Sequence, residues 1–140
     1  MSDEANVPSI VEFSVDLNDQ EAPKPLPAGE YTATIRGVEV KKSNRDTMYA
    51  AIQFFISPEQ YPADFQEGNP DGTVVTYRRV SLEDNPQARF STKRFIEAIG
   101  GKLGKRVDVN EWVGLEALVD ISHDTYEGVT RPQIAKVRSL

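Results

Sequence analysis

From Tyr31 the chain alternates apolar and polar residues through Ala33 and Ile35, then slips register across Gly37 and resumes at Val38 and Val40. Period-two alternation marks a strand with one buried face. A glycine where the alternation slips predicts a bulge, which lets one strand bend hard enough to serve both sides of a small barrel. The next run sets Met48, Ala50, Ile52, Phe54 and Ile56 on one face and Tyr49, Ala51, Gln53 and Phe55 on the other. A third run, TVVTYRRVSL at 73–82, is rich in β-branched residues and follows the turn signal Asn69-Pro70-Asp71-Gly72.

After Leu82 the period changes. Asn85 before Pro86 predicts an N-cap followed by proline in the first helical turn, and Phe90, Phe95, Ile96 and Ile99 recur at helix-like spacings up to Gly100-Gly101. Phe54, Phe90 and Phe95 are assigned to the core, and Trp112 to a plug at the end of the barrel. Two more strands are read from Leu115 to Ser122 and from Thr130 to Val137. The fold class is therefore mainly β, in the order β-β-β-α-β-β with the helix between strands three and four. That is the order of the five-stranded oligonucleotide/oligosaccharide-binding (OB) barrel, in which the face of strands two and three and the loops joining strands one to two and four to five bind ligand.

The domain boundary is drawn as an acidic N-terminal extension over 1–25 and an OB domain over 26–140, one domain being the usual content of a chain this long. The net charge of −6 belongs to the extension: residues 1–23 hold Asp3, Glu4, Glu12, Asp16, Asp19 and Glu21 and no Lys or Arg, leaving 16 of the 22 acids against all 16 basic residues in the rest. A neutral body can still present local positive surface to phosphates. With no cysteine, the chain forms neither disulfide nor thiolate metal site. No apolar run approaches the roughly 20 residues a membrane helix needs, and the acidic start is unlike a secretion signal, so the expected location is cytoplasmic.

The loop 41–47 offers Lys41, Lys42 and Arg45, and the loop 123–131 offers Tyr126 and Arg131. Taken alone, loop charges are usually just solvated surface; their position in the OB order raises their value. Consecutive strand residues point to opposite faces, so one of Arg78 and Arg79 would face inward unless a bulge intervenes. With Val80 and Leu82 taken as core, Tyr77 and Arg79 share the other face. Base stacking is the other half of single-strand binding, and its candidates are Tyr49, Phe55, Tyr77 and Tyr126. Strand two is apolar on both faces, so something covers one of them: for Phe55 the helix, the loop 58–72 or the N-terminal segment competes with a ligand for that role.

Within the extension, Val11, Phe13, Val15 and Leu17 alternate with Glu12, Ser14, Asp16 and Asn18, which is strand patterning. It predicts an added strand on the barrel edge or on a neighbouring copy, as in a homodimer. The alternative is a partner-docking motif, or a segment that competes with DNA for basic surface. Pro23, Pro25 and Pro27 form a stiff linker into the body.

Enzyme readings fare poorly. His123 is the sole histidine, and Ser122-His123-Asp124, though it has the residues of a hydrolytic triad, places neighbours on opposite sides of a strand. One histidine and no cysteine exclude the usual zinc ligand sets. Asp120, Asp124 and Glu127 lack a recognised cation-site spacing, and GGKLGK at 100–105 lacks that of a phosphate loop. No catalytic residue, metal or cofactor is assigned.

The run LPAGEYTATIRGVEVKKSNRDTMYAAIQFFI from Leu26, then TYRRVSL, a helix ending in AIGG, and EWVGLEALVDISHDTYEGVTRPQIAKV resemble the phage-encoded single-stranded DNA-binding proteins of OB fold, including a related phage family of uncharacterised OB-like domains. The resemblance spans residues 26–138. It implies non-specific coating of single-stranded DNA in phage replication or recombination, in the host bacterial cytoplasm, with replication or recombination proteins as further partners through the acidic segment. Many single-strand binding proteins end in an acidic tail; here the acidic segment is at the other end. The expected DNA-binding residues, Lys41, Lys42, Arg45, Tyr49, Phe55, Tyr77, Arg79, Tyr126 and Arg131, rest on the residue-level reasoning. The alternative function is a protein-interaction or assembly module on the same scaffold, since a fold does not by itself determine function.

Overall fold

The computed structural model describes residues 9–140; the first eight residues, with Asp3 and Glu4, lie outside the described part. Five strands, β1 (Gly29–Lys42), β2 (Met48–Ile56), β3 (Thr73–Ser81), β4 (Glu116–Tyr126) and β5 (Val129–Arg138), form one antiparallel sheet in the spatial order β3-β2-β1-β4-β5. One helix, α1 (Pro86–Ile99), follows β3 in the chain. Among the described residues no helix is long and apolar enough to cross a membrane.

The slip at Gly37 is a bulge. Ile35 pairs with Phe54 and Gly37 with Gln53, which leaves Arg36 as the extra residue. Up to that point β1 pairs with β4, from Gly29 opposite Ile121 to Thr34 opposite Glu116; from Thr34 on it pairs with β2. The bend thus lets one long strand serve two neighbours. The core is the inner face of the sheet, with Tyr31, Ala33, Ile35, Ile52, Phe54, Ile56, Val75, Val80, Ala117, Val119 and Ile121 all buried.

The ends of α1 are capped as its flanking residues require. Asn85 Oδ1 accepts from the Ala88 amide at 2.9 Å, Pro86 opens the first turn, and Gly100 takes the left-handed conformation (φ 74°) while the Gly101 amide donates to Ile96 O at 2.9 Å. The helix buries Ala88, Phe95, Ile96 and Ile99 against the sheet. Phe90 is not core: it is 59% exposed, because it precedes Ile99 by about two and a half turns and so faces away from it. Trp112 is buried beside Phe95, ring centroids 5.5 Å apart.

Two expectations of closure are corrected. β3 and β5 share no hydrogen-bonded register, so the sheet is open and these two strands are its edges. Residues 9–28 contain no strand, only a 3-10 turn at Leu17–Asp19, and Val11, Phe13, Val15 and Leu17 remain exposed instead of adding to an edge. The chain joins the body at the linker, where Leu26 is buried, the Tyr31 hydroxyl donates to Pro27 O at 2.7 Å, the Lys24 amide donates to Glu67 Oε2 at 2.9 Å, and His123 Nε2 lies 2.8 Å from Leu26 O.

Candidate nucleic-acid interface

The candidate residues of strands β1, β2 and β3 lie on the outer face of the sheet, and the sheet register lays that face out in rows. Lys41 stands opposite Tyr49 and Tyr49 opposite Ser81; Gly37 is opposite Gln53 and Gln53 opposite Thr76; Thr34 is opposite Phe55 and Phe55 opposite Val74. A ligand lying across β2 would therefore meet Lys41, Tyr49, Gln53, Phe55 and Val74 in succession.

The expected pairing of Tyr77 with Arg79 on this face does not occur. Ile52 pairs with Tyr77 and Ala50 with Val80, so β3 carries an extra residue across Arg78–Arg79. That bulge returns Tyr77 to the core side together with Val80, and leaves both arginines exposed. The Tyr77 ring is stacked on Phe95 (centroids 5.8 Å, planes 17° apart) and meets Phe54 edge-on. Burial raises the Tyr77 hydroxyl pKa above its ordinary value, with Arg79 pulling in the opposite sense.

Tyr77 and Arg79 nevertheless meet at one place. The two sheet edges face each other across a cleft of about 550 Å³ lined by Tyr77, Arg78 and Arg79 of β3, Arg131 and Gln133 of β5, and Asp124 of β4. Among the described residues, no carboxylate lies within ion-pair distance of Arg78, Arg79 or Arg131. Three guanidinium groups against a single carboxylate make the cleft electropositive, and planar guanidinium groups suit phosphate oxygens. Val74 and Thr76 line the same cleft, which makes it continuous with the outer face across β3. On its other side Tyr77 also lines a groove between α1 and β5 that holds Arg94 and Lys136.

Phe55 is only half available. The Arg36 guanidinium lies 3.9 Å from its ring centroid, and Gly72 packs so closely that a Cβ there would come within 2.2 Å of the ring. The cover thus includes the bulge residue and the end of the loop 57–72. Arg36 is the residue sequence reasoning missed: its neighbour Gly37 signalled the bulge, but the ring beneath it becomes visible only through the register. An exposed guanidinium lying over an aromatic ring can itself receive a base.

The remaining candidates sit at the ends of the sheet. Lys41 pairs with Glu39 at 3.4 Å and Lys42 with Asp46 at 3.5 Å, exposed contacts of little energetic consequence. Arg45 has no such partner among the described residues, and its loop is tied by Ser43, whose amide donates to Thr47 O and whose carbonyl accepts from Asp46, each at 2.9 Å. Tyr126 is 70% exposed beside the tight turn Glu127-Gly128, whose φ values of 51° and 78° are those of a type I′ hairpin. The two loops leave the sheet beyond opposite ends of β1. The cleft therefore gathers Tyr77, Arg79 and Arg131, and does not gather Lys41, Lys42, Arg45, Tyr49, Phe55 or Tyr126.

Arg138 is not available to a ligand. Its Nε and Nη2 donate to the two Asp120 carboxylate oxygens at 3.1 and 2.8 Å, and it also pairs with Glu30. The Asp120 carboxyl is held below the usual carboxylate range, chiefly by that hydrogen bonding. No protein-family model matches the chain, and comparison with curated proteins gives no significant match.

Proposed function

We propose that this protein binds single-stranded DNA without sequence preference, using an OB-type arrangement of the open five-stranded sheet in which the edges β3 and β5 face each other across a cleft. The observation supporting it most is the β3/β5 cleft, where Arg78, Arg79 and Arg131 lack ion-pair partners among the described residues and stand beside an outer face bearing Tyr49, Arg36 and Phe55. Phosphates would lie along the arginines, and bases would rest on Tyr49, on the Arg36 plane and on Tyr126 at the hairpin tip. Stacking of this kind contributes roughly 1–3 kcal/mol per base and tolerates any sequence. Following the family resemblance, the role is coating of single strands during phage DNA replication or recombination in the host cytoplasm, with no enzymatic step.

Fluorescence anisotropy of a labelled oligo-dT of about 30 nucleotides, longer than the roughly 4–16 one OB fold covers, tests this at low and moderate salt against a duplex control. The expected result is binding to the single strand that weakens with salt. Absence of binding at low salt would refute it.

A further inference from the structure

Two adjoining hollows, of about 650 and 780 Å³, run between α1, the segment 103–111 and the joined ends of β1 and β2, and share Leu82, Thr92 and Val107. Val40, Met48, Leu103 and Val107 line them and are 37–49% exposed, so the body of the chain leaves this apolar floor open. An exposed apolar surface rimmed by polar groups marks a contact site. On the rim stand Lys93, Lys105 and Arg106, with no ion-pair partner among the described residues. Most of the acids beside them are engaged. Asp84 pairs with Arg89 at 2.6 Å, Glu83 accepts from the Met48 amide at 3.1 Å and Asp108 accepts from the Asn110 amide at 3.0 Å, which leaves Glu111. The groove suits a ligand that is apolar and carries acids, and it shares no residue with the proposed DNA interface.

Residues 10–17 have that character. Ile10, Val11, Phe13, Val15 and Leu17 are 52–84% exposed, alternate with Glu12, Ser14 and Asp16 from Val11 on, and have no Lys or Arg among them. In an extended conformation the apolar side chains turn to the floor and the acids up to the rim, where the long Lys and Arg side chains meet them. The groove of the same chain lies at the far end of the body. The chain enters at Leu26, beside the start of β1, whereas Val40 lies near the other end of that strand. Gly29 to Val40 is roughly 36 Å of strand, and residues 18–23 reach at most about 20 Å. A second copy meets no such limit.

We propose that residues 10–17 of one copy dock in the α1 groove of a second copy, with Glu12 and Asp16 meeting Lys93, Lys105 and Arg106. Reciprocal docking of two segments closes a two-fold dimer. The inference goes beyond DNA binding and needs no DNA to be tested.

The test is sedimentation velocity of the full-length chain without nucleic acid over a range of concentrations. Twice the chain mass is expected. Phe13→Asp with Val15→Asp should return the protein to single-chain mass with an unchanged melting temperature, since both positions are exposed. Lys93→Glu with Lys105→Glu should also dissociate the dimer, and adding Glu12→Lys with Asp16→Lys should restore it. Because the chain has no cysteine, Val15→Cys chains mixed with Leu103→Cys chains under mild oxidation should form a disulfide between the two different chains. A full-length chain at single-chain mass throughout, or a dimer that survives the two aspartates, overturns the proposal. A charge-swapped protein that stays monomeric, or a disulfide that forms only inside a chain carrying both cysteines, overturns the assignment to the groove of a second copy.

Discussion

Replacing Arg78 and Arg79 together by Gln removes two exposed cations that have no ion-pair partner among the described residues, at a bulge whose backbone does not depend on them. Surface changes of this kind alter stability by no more than roughly 0.5 kcal/mol, so a loss of binding would report the interface and not the fold. For single strands each neutralised phosphate contributes roughly 0.7 to the slope of log affinity against log salt. If Lys41, Arg45, Arg78, Arg79 and Arg131 each meet one phosphate, the slope is about −3.5, and a fourfold rise in salt weakens binding about a hundredfold. The double variant should have a slope of about −2.1 and lose only about twentyfold over the same range. Anisotropy titrations of oligo-dT at several salt concentrations read both slopes, with melting curves as the control for folding. A double variant with wild-type affinity and slope would refute the placement of DNA in the cleft.

Three further outcomes test the structure beneath the site. Gly72→Ala should destabilise the protein by about 1–3 kcal/mol in chemical denaturation, because φ is 96° and the new methyl would press on Phe55. Phe95→Ala should cost about 3–5 kcal/mol as a buried aromatic, whereas Phe90→Ala on the exposed face of α1 should stay within about 0.5 kcal/mol; equal losses would mean that the helix buries a different face. Asp120 has a lowered folded-state pKa, so its pairing with Arg138 stabilises the protein above the unfolded-state carboxylate pKa and is lost as pH falls through the folded value. Melting temperatures from neutral to acid pH should therefore fall less steeply at the acid end for Asp120→Asn than for the unsubstituted protein, and identical profiles would show the pair to be inert.

Much of the fold can be read from the chain because its patterns are local. Alternation placed the strands, Gly37 signalled the β1 bulge, and Asn85-Pro86 and Gly100 marked the ends of α1. What escaped depends on register or phase. The β3 bulge carries no glycine, so VTYRRV reads as unbroken alternation and sends Tyr77 to the wrong face. Helical spacing admitted Phe90 because a run of four aromatic and aliphatic residues does not by itself fix which face is buried. The cover of Phe55 by Arg36 and Gly72 joins three segments far apart in the chain. The alternation at Val11–Leu17 signals a strand but does not name its partner, and the body of the same chain does not supply one.

The most direct test of the interface is ultraviolet crosslinking of the full-length protein to a thymine oligonucleotide, with the attached peptides identified by mass spectrometry. The predicted result is attachment at Tyr126 and Tyr49 and on the β3 peptide carrying Tyr77, Arg78 and Arg79, competed away by unlabelled single strands and by salt. Crosslinks confined to the exposed face of α1 around Phe90, or none under conditions where binding is saturated, would contradict it.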